Sequence, residues 1–337
     1  MKVSKRNRYI DDLYAAMHTL SGVTEQEADQ VAAEQHPCVK VCTRRKVRNE
    51  DVQETYLQLN PNKGYEAGEM IRSASEMYQS VMQTLQDVGV EPETFVIRRA
   101  DLSYNSPNPD DYRSFQKLNR LLICCLAYEY HIDNCYRSED LWSFDQLSIA
   151  VMNTRISVEN YDKEAESGGT SEVCSRLEVR SMKLQAGDTL EKEFLYRWPA
   201  RWSRAIKRRQ AVEQRYNDRL EQLYKDDLQR LKRDRHYLNL TAFLMQYRDC
   251  IFSNRQMVDL LSRFDEVSDP RRKARSFKSH HSIEYFSQTD LEVITRALSQ
   301  ASEEYFLGGA VTEGDKNLSP NVTTQVHFES ADTSEAA

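Results

Sequence analysis

The residues best suited to chemistry lie in the stretch 154–184, where a phenol, carboxylates and guanidiniums recur at every second position. Arg155, Ser157, Glu159 and Tyr161 alternate with Ile156, Val158 and Asn160. Beyond a Ser-Gly-Gly-Thr turn, Cys174, Arg176, Glu178 and Arg180 alternate with Val173, Ser175, Leu177 and Val179. Side chains on a strand change face with a period of two, so the pattern predicts a hairpin with one largely apolar face and one face bearing Tyr, Glu and Arg. Such a face suits phosphodiester chemistry by a tyrosine nucleophile. A phenol has a pKa of about 10, so it attacks phosphorus only when a base or a metal-polarised phosphate activates it. Two facing carboxylates would supply that. The plain alternative is a solvated sheet face with cross-strand ion pairs.

Several elements must hold this hairpin in place. The chain has 337 residues, enough for two domains with cores of their own, and is 39% hydrophobic and 29% charged with a formal net charge of −7. That balance excludes a uniformly basic nucleic-acid binder. Cations cluster locally instead, at Lys40 to Arg48, Arg201 to Arg209 and Arg271 to Lys278. Seven cysteines, an odd number without a secretory leader, point to a reducing cytoplasm rather than a disulfide framework. No apolar run reaches the roughly 18 residues of a membrane span. His36, Cys38 and Cys42 have no second pair at finger spacing, which argues against a zinc site.

Along the chain, the spacing predicts a short helix over Tyr9 to Leu20 and strands over Cys38 to Val47 and Val52 to Leu59, followed by a break at Pro61 to Gly64. Ile71, Ala74, Met77, Tyr78, Val81, Leu85 and Val88 keep helical spacing, with Gly89 placed as a C-cap. Phe95 to Tyr104 reads as a strand. Asp is depleted in strand interiors, so Asp101 calls for a reason. A helix from Asp110 or Asp111 to about Tyr130 and a strand over Gln146 to Val151 precede the hairpin. The expected fold is α+β, a mainly antiparallel sheet with helices on one face and then a mostly helical C-terminal region. The expected division is 1–195, 196–306 and a disordered tail over 307–337.

From Trp198 to Leu240 an apolar stripe at three- and four-residue steps predicts one long helix, or two with a kink. Packing or dimerisation explains the stripe, but its basic beginning could also follow a phosphate backbone. Capping patterns at Ser253, Asp269-Pro270 and Ser287 open three shorter helices, the middle one basic, an order compatible with a helix-turn-helix DNA reader.

The succession Arg99-Ala100-Asp101, Tyr161-Asp162-Lys163 and Arg176-Leu177-Glu178-Val179-Arg180 resembles the trans-acting replication initiators of Gram-positive rolling-circle plasmids and conjugative elements. The likeness runs over roughly 95–184 and is weaker in the helical half. It implies a replication initiation protein that nicks and rejoins one DNA strand at an origin through a phosphotyrosine, a type I topoisomerase-like activity. Tyr161 would be the nucleophile, with Tyr104 in reserve. Asp101 and Glu178, joined by Glu159, would ligate a metal, and Arg99, Arg176, Arg180 and Lys163 would lie near phosphates. None of the seven histidines forms a His-x-His pair, so an oxygen-ligand site for Mg²⁺ or Mn²⁺ is expected. Arg204, Lys207, Arg208, Arg209, Arg271, Arg272, Lys273 and Arg275 are the DNA-binding candidates of the helical half. Expected partners are origin DNA, a host helicase and a second copy of the chain. Two other readings use the same residues: a non-catalytic DNA-binding protein of a mobile element, and an interaction module built on the long helix.

Overall fold

The computed structural model describes residues 10, 12–24, 31, 36–46, 53–64, 70–107, 112–132, 149–166, 175–185, 188–233, 236 and 238–308. The tail expected over 307–337 lies almost wholly outside these residues, as do the Ser167 to Thr170 turn, the start of the second hairpin strand at Val173 and Cys174, and the start of the strand expected at Gln146. The fold is α+β. Seven antiparallel strands, β1 (Tyr14–Thr24), β2 (Val39–Lys46), β3 (Gln53–Leu59), β4 (Val96–Ser106), β5 (Ile149–Met152), β6 (Ile156–Asp162) and β7 (Ser175–Ser181), form one sheet in the order β2-β3-β1-β4-β7-β6-β5. Helix α1 (Ala74–Asp87) opens on the Ser73 side chain and closes on Gly89 in the left-handed region, φ 77°, where a residue without Cβ carries no steric cost. Helix α2 (Tyr112–Glu129) follows β4, and α3 (Trp198–Ala205) and α4 (Arg209–Arg233) meet at a short 3₁₀ turn, which is the expected kink. Helices α5 (Leu240–Gln246), α6 (Asn254–Leu261), α7 (Pro270–His281) and α8 (Gln288–Leu307) complete the chain.

The helix expected over Tyr9 to Leu20 is instead the strand β1. The segment Tyr-Ala-Ala-Met-His-Thr-Leu is almost wholly buried between β3 and β4, so both faces are covered and the alternation that marks a half-exposed strand is missing. Where β1 passes Gly22, a Cβ would sit 2.4 Å from the Val96 carbonyl oxygen and 2.7 Å from the Phe95 ring. The backbones there approach too closely for any other residue. Gly22→Ala is therefore expected to cost about 1–3 kcal/mol by overpacking, read as a lower urea midpoint with an unchanged denaturant slope.

Packing does not divide at residue 195. One core joins Leu102, Leu177, Val179 and Val158 of the sheet to Phe115 and Leu122 of α2, Trp198 and Trp202 of α3, Tyr216 of α4 and Leu298 of α8. A second, smaller core joins Leu220 and Tyr224 of α4 to Phe243, Leu260, Phe264 and Phe277. The stripe of the long helix is thus buried within the chain, Val212 and Tyr216 in the first core and Leu220 and Tyr224 in the second. Lys117 of α2 ties the two together, its buried ammonium donating to the carbonyls of Arg248, Ile251 and Glu284 at 3.2, 3.0 and 3.0 Å. Among the described residues, no helix is long and apolar enough to cross a membrane.

Candidate functional site

The register of the three central strands assembles the site. Asp101 of β4 stands opposite Arg180 of β7, Ser103 opposite Glu178, and Asn105 opposite Arg176. Across the other edge of β7, Arg180 faces Ser157, Glu178 faces Glu159 and Arg176 faces Tyr161. Opposed residues of an antiparallel pair share a face, so Asp101, Glu178, Glu159, Tyr161, Arg176 and Arg180 form one polar patch. The reverse face carries Leu102, Leu177, Val179 and Val158 into the core under the helices. Tyr104 belongs to that reverse face. It is fully buried, and its hydroxyl lies 2.8 Å from the Ser302 hydroxyl of α8, so it is no longer a reserve nucleophile. The phenol is held neutral by burial.

The patch also contains a residue that the sequence pattern hid. Between Met17 and Thr19 the register of β1 slips, and the extra residue is His18. A bulge re-aims the side chain it inserts, and here the ring comes against the carboxylates. His18, Asp101 and Glu178 each offer a ligand atom, and these atoms all lie within 4.8 Å of one another. Nδ1 of His18 is 3.9 Å from Oε2 of Glu178 and 3.0 Å from the Thr19 hydroxyl. Asn62 supports the bulge, its amide donating to the Met17 carbonyl at 2.7 Å while its oxygen accepts from the Ile71 amide at 2.9 Å. The Pro61 to Gly64 break therefore carries the clamp that steadies His18. This cluster offers one nitrogen and two carboxylates, where the sequence suggests oxygen ligands alone. Glu159 stays outside it, with its carboxylate 2.8 Å from Arg180.

Tyr161 sits beside this cluster. Its hydroxyl donates to Oε2 of Glu178 at 3.2 Å and accepts from Nη1 of Arg176 at 3.4 Å, while Nε of Arg176 is held by the Asn105 side chain at 2.8 Å. Only 6% of Tyr161 reaches solvent. Burial, reinforced by the Glu178 charge, pushes the phenol above its ordinary value, and Arg176 pulls it part of the way back. Lys163 stands 5.9 Å from the tyrosine ring and bridges to Glu166 at 2.8 Å.

The carboxylates differ from each other. Burial raises Asp101, and the Arg99 guanidinium, donating from Nε at 2.8 Å, only partly offsets this. Burial also acts to raise Glu178, but its interactions with the His18 ring and with the Arg180 and Arg176 guanidiniums outweigh it and hold this carboxyl below the usual range. His18 keeps about 32% of its side chain exposed, yet desolvation, opposed by the Glu178 charge and aided by Arg176, Lys163 and Arg180, lowers its pKa. A neutral imidazole is the form that ligates metal.

Two of the arginines expected near phosphates, Arg180 and Arg99, sit on carboxylates. Arg180 reaches Glu178 at 2.7 Å, Glu159 at 2.8 Å and Asp101 at 3.6 Å, and Arg99 grips Asp101. Both neutralise carboxylates, which is also how an ion-paired sheet face would be built. In the helical half, Arg204 donates to the Tyr130 hydroxyl, Arg208 to Glu129, and Arg209 to Glu213 and the Phe286 carbonyl. Lys207 is exposed. These arginines fasten the 3₁₀ junction to its neighbours. On α7, by contrast, Arg271, Arg272 and Arg275 are exposed and Lys273 is half-buried, 3.5 Å from the Thr241 hydroxyl.

No family model, curated protein or solved structure matches the chain.

Proposed function

We propose that this chain is a replication initiator of a mobile genetic element that nicks and rejoins one DNA strand through Tyr161. The observation that carries this reading is the Tyr161 hydroxyl donating to Glu178, a carboxylate that shares a three-residue cluster with Asp101 and His18 on one sheet face. In the nicking step the phenol oxygen attacks phosphorus, its proton leaves along the hydrogen bond to Glu178 and passes on to solvent, a P–O bond to tyrosine forms, and the P–O3′ bond breaks. The 3′ oxygen leaves as a hydroxyl by taking a proton from solvent, and the 5′ end stays on the protein. One ester replaces another, so the reverse attack by the 3′-OH rejoins the strand. Arg176 steadies the attacking oxygen and, from the same position, can meet the charge that gathers on the phosphoryl oxygens.

Two carboxylates and an imidazole form a donor set suited to a divalent cation, with the carboxylates favouring Mg²⁺ or Mn²⁺ and the imidazole adding affinity for a transition metal. His18, Asp101 and Glu178 would hold it, and the ion would withdraw charge from the scissile phosphate. Binding of Mn²⁺ to the full chain, followed by electron paramagnetic resonance, is expected to weaken at least about 10-fold in His18→Ala, Asp101→Asn and Glu178→Gln. Equal affinity in all three would remove the metal from this reading.

The test of the function is a covalent adduct. Wild-type protein with Mg²⁺ and a supercoiled plasmid bearing the element's origin is expected to give nicked circles with protein on the 5′ end, and peptide mapping is expected to place the nucleotide on residue 161. Absence of any adduct would favour the second reading, a non-catalytic DNA-binding protein of a mobile element. That reading is supported by the ion pairs of Arg99 and Arg180 with the same carboxylates.

A further inference from the structure

Helices α6 and α7 enclose an open cleft of about 710 Å³ whose lining includes Arg255, Val258, Asp259, Ser262, Arg271 and Arg275. The spacing accounts for this wall. Arg255, Val258 or Asp259, and Ser262 fall on one face of α6 at steps of three and four, and Arg271 and Arg275 stand one turn apart on α7. The opposite sides of both helices, with Met257, Leu260, Ala274 and Phe277, are buried in the second core. The backbone that presents the arginines is therefore fixed. Asp259 is the acid of the cleft, and its carboxylate is already occupied by Arg263 at 3.0 Å and the Asn217 amide at 2.8 Å.

Arg255, Arg271 and Arg275 are exposed, and among the described residues no hydrogen bond or ion pair holds them. They differ in this from Arg197, Arg201, Arg208, Arg209 and Arg263, each of which sits on a carboxylate. The surrounding charge is one-sided as well. In a chain of net charge −7, α7 has no acidic residue from Pro270 to His281 while carrying Arg271, Arg272, Lys273, Arg275 and Lys278. Three uncommitted guanidiniums converging from two helices on a cleft wide enough for a phosphodiester describe a site for polyanions, because guanidinium forks match phosphate oxygens in pairs.

We propose that the cleft between α6 and α7 clamps the sugar–phosphate backbone of DNA. The proposal rests on the reading of the chain as a DNA-binding protein, and it names the surface that takes the backbone. Asp259 faces the same cleft and keeps the phosphate on the arginine side of it.

The test uses the full chain and a fluorescent duplex of arbitrary sequence, with affinity read by anisotropy across a KCl series. Each phosphate contact contributes about 0.9 units to the slope of log K against log salt. The triple variant Arg255→Gln, Arg271→Gln, Arg275→Gln is expected to flatten that slope by about two to three units. Arg296→Gln, an exposed charge removed from α8 outside the cleft, is expected to leave the slope unchanged. An unchanged slope in the triple variant, with unchanged thermal unfolding, would overturn the clamp. So would a titration in which sodium tripolyphosphate binds through the three arginines while duplex binding ignores them, because the cleft would then serve a free polyphosphate. Cleavage of a single-stranded origin oligonucleotide, measured on the same samples, separates this proposal from the nicking reading. A flattened slope with no cleavage in wild type keeps the clamp and removes the nuclease, and cleavage with an unchanged slope does the reverse. Wild-type protein that binds no duplex at low salt would remove the clamp outright.

Discussion

Tyr161→Phe is expected to abolish strand cleavage, a loss of at least about 10⁴-fold, while leaving the fold and DNA binding in place. The size follows from the chemistry, since phenylalanine has no atom that can attack phosphorus and Tyr161 is the tyrosine whose hydroxyl bonds to Glu178. Tyr104, the neighbouring candidate on β4, points to the reverse face and bonds to Ser302. The small structural effect follows from the surroundings. The lost hydroxyl bridges Glu178 and Arg176, but Glu178 keeps Arg180 at 2.7 Å and Arg176 keeps Asn105 at 2.8 Å. One hydrogen bond in such a network contributes about 0.5–1.5 kcal/mol. Denaturant unfolding and a gel assay of nicked circles on the same preparations measure both quantities. A stability loss of several kcal/mol with cleavage retained would make Tyr161 structural.

Most of this patch was legible because alternation survives where one sheet face is polar. Asp101 on β4 and the alternating Glu159, Tyr161, Arg176, Glu178 and Arg180 on β6 and β7 have the period of two written into their residue types. The register that brings them together then follows from a hairpin whose other face is buried. His18 was not legible for the opposite reason. Its strand is buried on both faces, so the run from Leu13 to Leu20 has no alternation, and its alanines, methionine and leucines suit a helix equally well. The bulge that turns His18 toward Glu178 depends on Asn62, forty-four positions further along the chain from His18, and no local pattern encodes that contact. Charge clusters misled in a related way. Composition marks Arg201 to Arg209 and Arg271 to Lys278 alike, but only three-dimensional packing reveals that Glu193, Glu129 and Glu213 pair with Arg201, Arg208 and Arg209 of the former.

The same logic makes Arg180 the residue on which the patch depends for stability. Arg180→Met is expected to destabilise the protein by about 3–5 kcal/mol, the range for removing one partner of a buried ion pair. The guanidinium lies within 4 Å of three carboxylates, those of Glu159, Glu178 and Asp101, each with a side chain only 2% exposed. Methionine keeps much of the volume and removes the charge, so three buried acids are left with far less compensation. Asp101 retains Arg99, whereas Glu159 and Glu178 lose their closest cation. Arg180→Lys is expected to fall between wild type and methionine, because one ammonium cannot match the separate Nε and Nη2 contacts to Glu178 and Glu159. The decisive comparison adds Glu159→Gln and Glu178→Gln to Arg180→Met. If the cost arises from uncompensated charge, neutralising both acids is expected to recover most of the lost stability, because replacing both partners of a buried pair is far less costly than removing one. If the triple variant is no more stable than Arg180→Met alone, the arginine acts through packing, and the electrostatic account of the patch is wrong.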